Sequence, residues 1–170
     1  MFFLISQGMN ADELVVRHAT GGQATALEIE GEYWYQSLGD KLVVIRKHGN
    51  GQLATRMLTT YPAEASCTDL IVHDQTMYAL LDNSGVVTFS LRSANVPMVV
   101  NRQNAASLGI VPHDLVMVGD WPVVIGSGGA VRLTDGKQIV STEGNITGIG
   151  MSMDRGIVYA TNGQLVDADT

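Results

Sequence analysis

Residues 69–100 read DLIVHDQTMYALLDNSGVVTFSLRSANVPMVV. The decisive part is Met77–Leu81, five apolar residues without a break. An antiparallel strand with one wet face alternates apolar and polar residues. An unbroken run of strand length, bounded by turn formers, implies burial on both faces. The flanking runs DLIVHD, VVTFSL and PMVVN are also of strand length and rich in β-branched residues, which suit a pleated surface. The segment therefore reads as strand, polar turn, apolar strand, glycine turn, strand, turn, strand.

The same order of parts recurs. DLVMVGDWPVVIGSGGAVRLTDGKQIVST begins at Asp114, 45 residues after Asp69, and ALEIEGEYWYQSLGDKLVVIRKHGNGQLATRML begins at Ala26, 43 residues before it. A shorter copy starts at Gly148. The 170 residues divide into a partial unit 1–25, units 26–68, 69–113 and 114–147, and a partial unit 148–170, within a single domain. Asn50-Gly51, Asn83-Ser84-Gly85, Asp135-Gly136 and Asn162-Gly163 supply turn chemistry between strands. The phrases DELVVRHATGGQAT (12–25) and DKLVVIRKHGNGQLAT (40–55) are close copies, and read as third and fourth strands of successive units. ADELVVRHA could instead be a helix capped by Asn10, and NRQNAASLG at 101–109 suits a turn of helix.

Four strands per period of about 45 residues is the pattern of a β-propeller blade. Sheets stacked around an axis bury both faces of their middle strands. A β-sandwich buries one face of each sheet and is the alternative. The phrases YWYQSL, MYALLD and IVYATN over residues 24–170 resemble propeller repeats of the LVIVD, Kelch and quinoprotein-like groups. Trp34 and Trp121 are followed by Tyr and Pro, so the Trp-Asp signature of WD repeats is absent. The resemblance implies an all-β, propeller-like array of about four to five small antiparallel sheets. The array would be completed by termini that meet or by oligomerisation, since bare strand edges template further pairing.

Seventeen acidic against ten scattered basic residues give a net charge of −7, which disfavours nucleic acid. Cys67 is alone, so no intrachain disulfide forms, and it reads as an inert, partly buried thiol. The opening MFFLISQG is too short to span a bilayer and lacks the flanks of a secretory signal. No membrane insertion is expected, and the compartment stays open.

No HExxH, CxxC, GxSxG, P-loop or GxGxxG motif occurs, so no cofactor or metal is called for. GSGG at 126–129 reads as a hairpin turn. The candidate ligand-binding residues are Asp69, His73, His113, Asp114 and Trp34. His73-Asp74 and His113-Asp114 pair an imidazole with a carboxylate, a combination that can bind a metal or share a proton. When the units are aligned Asp69 matches Asp114, but His73 falls opposite Val118, which places the two histidines at opposite strand ends. Alternation puts Tyr33 and Tyr35 on one face and Trp34 on the other, so these rings pack between sheets or form a stacking platform. The expected role is a non-catalytic binding or assembly scaffold that presents loops to a protein partner or to copies of itself. The alternative is an enzyme or carbohydrate-binding propeller with a site in the central channel.

Overall fold

A computed structural model describes residues 6–7, 14–15, 24–47, 53–60, 65–94 and 96–168. The described chain is all-β apart from one turn of 3-10 helix, Asp82–Ser84, and the four-residue α1, Ala105–Leu108. A first pair, β1 (Ser6–Gln7) and β2 (Leu14–Val15), is antiparallel. Next come β3 (Ala24–Glu30), β4 (Tyr33–Leu38), β5 (Lys41–Lys47) and β6 (Leu53–Thr60), a four-stranded sheet in chain order. The second sheet is β7 (Cys67–His73), β8 (Thr76–Leu81), β9 (Gly85–Ser90) and β10 (Met98–Asn104). The third is a five-stranded ladder of β11 (Val111–Val118), β12 (Trp121–Arg132), β13 (Gln138–Ser152), β14 (Gly156–Thr161) and β15 (Gln164–Asp167).

The five-stranded ladder is two units run together. Twelve residues of straight strand would extend about 40 Å, yet the Leu133 N–H donates to the Pro122 carbonyl at 2.9 Å. β12 therefore doubles back on itself at the GSGG turn, as a hairpin. β13 pairs with β12 over Gln138–Asn145 and with β14 over Ile146–Ser152. Its first half is the fourth strand of one sheet and its second half the first strand of the next.

The second strands are covered on both faces. In β8, Met77, Ala79 and Leu81 enter one core with Tyr35, Leu42 and Val44 of the first sheet. Tyr78 and Leu80 enter another with Leu115, Val124 and Val131 of the third. Val123 and Ile125 of β12 turn to a third core, shared with Ile146 and flanked by Ile157 and Tyr159. A sheet with a core on each side excludes the two-layer sandwich and fits the propeller-like reading. Trp34 joins Leu38, Val43 and Ile45 in a fourth cluster on the opposite face of the first sheet from Tyr35. The buried Tyr35 hydroxyl donates to the Ala94 carbonyl at 3.1 Å, and burial pushes its pKa up to about 12.

Two of the glycines combine a positive φ with no room for a side chain. Gly85 (φ 137) begins β9 and Gly129 (φ 144) begins the return arm of β12. A Cβ would lie 2.0 Å from the Gln103 carbonyl oxygen at Gly85, and 2.1 Å from the Val140 carbonyl oxygen at Gly129. Both are contacts with the fourth strand of the same sheet. α1 forms because Asn104 Oδ1 accepts from the Ser107 N–H at 2.8 Å and Gly109 closes the turn at φ 71, as the NRQNAASLG segment predicts.

One sequence expectation is corrected. Of the phrase 12–25, Leu14–Val15 and Ala24-Thr25 are described and the rest lies outside the described residues. Ala24-Thr25 opens a first strand, β3, while the matching Ala54-Thr55 lies in a fourth strand, β6. Ladder partners decide strand order, and local similarity carries no information about them. The ADELVVRHA alternative and the Asn50-Gly51 turn also lie largely or wholly outside the described residues.

Two-sided burial has a direct check. Met77 and Leu80 point to opposite faces of β8 and both are 0 % exposed. Met77→Ala and Leu80→Ala should each cost about 2–5 kcal/mol in chemical denaturation. In a sheet with one wet face, one of the two would be nearly neutral.

Candidate functional site

The first strands β3, β7, β11 and the second half of β13 share one irregularity. Each pairs with its neighbour through a bulge, at Thr25, Thr68, His113 and Thr147. The residue after each bulge is Ala26, Asp69, Asp114 or Gly148. These strands are sheet edges, whose outward N–H and C=O groups lack ladder partners.

Side chains of the preceding unit satisfy some of those groups on β7 and β11. The Leu115 N–H donates to Asp69 Oδ2 at 3.0 Å and to Asp114 Oδ1 at 3.1 Å. Asp69 Oδ1 accepts from its neighbour, the Leu70 N–H, at 2.8 Å. One unit earlier the Thr25 hydroxyl donates to the Cys67 carbonyl, and the Glu28 carboxylate accepts from the Val72 backbone. Aligned by their bulges, Asp69 and Glu28 each reach one residue further along the next first strand. Carboxylates thus stitch β3 to β7 and β7 to β11.

The stitching brings Asp69 and Asp114 against one shared N–H. Burial above all lifts the Asp69 carboxyl, to about 6; the Leu115 and Leu70 N–H groups oppose the shift and Asp114 adds to it. Burial also raises Glu28, against the bond from Val72. The pair can hold a proton between two carboxylates.

The other candidates do not join this pair. His113 occupies the bulge and is exposed. His73 ends β7, about 13 Å further along the strand than Asp69 by strand rise, with Nε2 3.3 Å from Asp74 Oδ2. The histidines thus lie at opposite ends of their strands. Trp34 is 5 % exposed and packs with Leu38, Val43 and Ile45, which leaves too little surface for a stacking platform and favours the packing reading. Cys67 is wholly buried, more so than its position suggests, and its thiol donates to the Asp69 carbonyl at 3.2 Å. Among the described residues no group of three or more His, Cys, Asp or Glu is placed to hold a metal ion. Thr25 and Glu28 escaped the sequence reading; the polar residue just before each unit start was the available clue.

The opposite end of the first strands is apolar. Ile29, Met117 and Met151 occupy the same position, third after the residue following the bulge, and are 49 %, 39 % and 54 % exposed. Met153, in the turn beyond, is fully exposed. Beside this end, a cleft of about 800 Å³ is lined by Asp74, Thr76, Ser90, Arg92, Met98 and Val100, among others.

The carboxylate pair predicts a pH dependence. A raised folded pKa means the folded chain holds a proton that the unfolded chain releases between pH 3.8 and about 6. Asp69 therefore supports the fold fully below that window, and the support is lost as pH rises through it. Asp69→Asn removes the titration and exchanges one of the two accepting oxygens for a donor. The parent's melting temperature should fall between pH 4 and pH 7 by more than that of the Asp69→Asn variant. An equal fall in both proteins would contradict the pairing.

No family model and no curated protein matches the sequence. Among solved structures the chain is similar to virginiamycin B lyase from Staphylococcus aureus, in its selenomethionine form, at 11 % identity and a TM-score of 0.52. The superposition covers 85 % of this chain and 54 % of the lyase, so this chain spans about half of that protein. The lyase is a β-propeller, and the likeness carries the fold alone: an all-β, propeller-like arrangement of antiparallel sheets.

Proposed function

We propose that the chain is a non-catalytic binding or assembly scaffold. Its propeller-like units, with divisions near 26, 69, 114 and 148, would be completed into a ring by meeting termini or by other copies. It would present its turns and strand ends to a protein partner or to those copies. One observation carries this reading. Thr25, Glu28 and Asp69, on the first strands, are engaged in joining strands, whereas large apolar side chains stand exposed at the strand ends opposite the bulges. Asp69 accepts two backbone N–H groups and the Thr25 hydroxyl is bonded to Cys67. Ile29, Met117, Met151 and Met153 are all at least 39 % exposed. Methionine suits adaptable protein contact surfaces, and clustered exposed apolar side chains mark interaction sites.

The channel-site reading rests on the proton-sharing Asp69–Asp114 pair and on likeness to a lyase. At 11 % identity the likeness brings no activity with it.

Light scattering and pull-down with the immobilised chain test the proposal. A solution mass that is a multiple of 18.2 kDa, or a retained protein, is expected. Either should be lost in a Met117→Lys/Met151→Lys variant with an unchanged melting temperature. Saccharide binding or turnover abolished by Asp114→Asn, with no assembly or partner, would overturn it in favour of a channel site.

A further inference from the structure

The outermost strand of the second sheet breaks the burial pattern of the others. β10 ends its sheet, paired with β9 on one side and with no described strand on the other. Its first three residues, Met98, Val99 and Val100, are 65 %, 40 % and 60 % exposed. In the corresponding outer strand of the next sheet, the first half of β13, Val140 is buried and Ile139 packs against the core. Three consecutive exposed apolar residues on a free edge are what natural sheets avoid through charge, proline or shortening.

The edge has a defined geometry. Met98 pairs with Ser90, which pairs with Thr76, so one cross-strand row floors the 800 Å³ cleft. A bulge falls at Val100 and turns it to the same cleft as Met98. Val99 pairs with Phe89 and Arg102 with Val87. Phe89 and Val87 both belong to the core shared with the first sheet, so Val99 and Arg102 lie on the face opposite the cleft. Each face of the edge therefore offers an apolar side chain and a cation: Met98 and Val100 with Arg92 on one, Val99 with Arg102 on the other. Arg92 and Arg102 are exposed and make no ion pair with a described residue, unlike Arg46, Arg132 and Arg155. The carboxylate lining the cleft, Asp74, faces His73 Nε2 at 3.3 Å.

An open ladder of backbone groups is complementary to an extended chain. The apolar centre asks for apolar side chains, and the two guanidinium groups ask for carboxylates. We propose that β10 is a strand-addition site for an extended peptide segment of a protein partner, with alternating apolar residues at its centre and acidic residues at its ends. The site rests on the binding reading above and names its surface and its ligand class. It does not use the strand-end methionines.

Fluorescence anisotropy on the whole chain tests it, with a labelled Val/Ile-alternating peptide of about ten residues carrying Glu at both ends. A second peptide carries Lys there instead. The acidic peptide should bind at least about tenfold more tightly than the basic one. Val100→Lys should abolish binding, and the double variant Arg92→Glu/Arg102→Glu should reverse the preference between the two peptides with no change in melting temperature. A reversal of preference is something a merely structural role for Arg92 and Arg102 would not produce. No binding of either peptide overturns the site. Binding indifferent to both variants also overturns it while leaving the scaffold reading intact. A solution dimer that Val100→Lys dissociates would make a second copy the occupant and overturn the partner-peptide proposal.

Discussion

Everything in this molecule depends on the second strand of each sheet having no wet face. In β8 successive side chains go alternately to two different cores, one shared with the sheet before and one with the sheet after. β12 repeats the arrangement one sheet later. Such a strand cannot be stable within its own sheet alone. Its burial, worth about 1.5–3 kcal/mol for each large side chain, arises only when a neighbour covers each side. The sheets are therefore mutually dependent, and their order along the chain becomes their order in space.

That stacking creates a problem at the inner edge. First strands of successive sheets come side by side, close enough to touch but without a ladder. Their backbone groups would be left without partners in a partly buried setting, at about 1–3 kcal/mol each. The chain answers with Thr25, Glu28 and Asp69, each reaching across to the next unit. Placing carboxylates there brings Asp69 against Asp114 and raises the Asp69 pKa. A perturbed acid near the inner edge resembles a catalytic signature. Here its two accepted backbone hydrogen bonds give it a structural task.

The outer edge follows different rules. A fourth strand has no ladder partner on its outer side among the described residues, so its sequence decides whether the edge is inert. The first half of β13 is quiet because Val140 turns inward and Ser141 outward. β10 leaves Met98, Val99 and Val100 in view, with two exposed arginines beside them that make no ion pair with a described residue.

Much of this was legible in the residues. The unbroken MYALL and PVVIG runs announce two-sided burial, and the 45-residue recurrence announces repeated sheets. Alternation separated Tyr33 and Tyr35 from Trp34, and alignment separated His73 from His113. Each of these is a local property, because strand periodicity and turn chemistry act over a few residues. What the chain's text left open is whatever joins distant segments. Ala24-Thr25 and Ala54-Thr55 carry the same letters and sit at opposite edges of one sheet. The Leu115 N–H meets Asp69 from 46 residues away. Trp34 packs into a core with Leu38, Val43 and Ile45, and β13 passes from one sheet into the next without a break. Those outcomes belong to tertiary structure, because edge pairing and the covering of a face depend on which surface arrives from elsewhere in the chain.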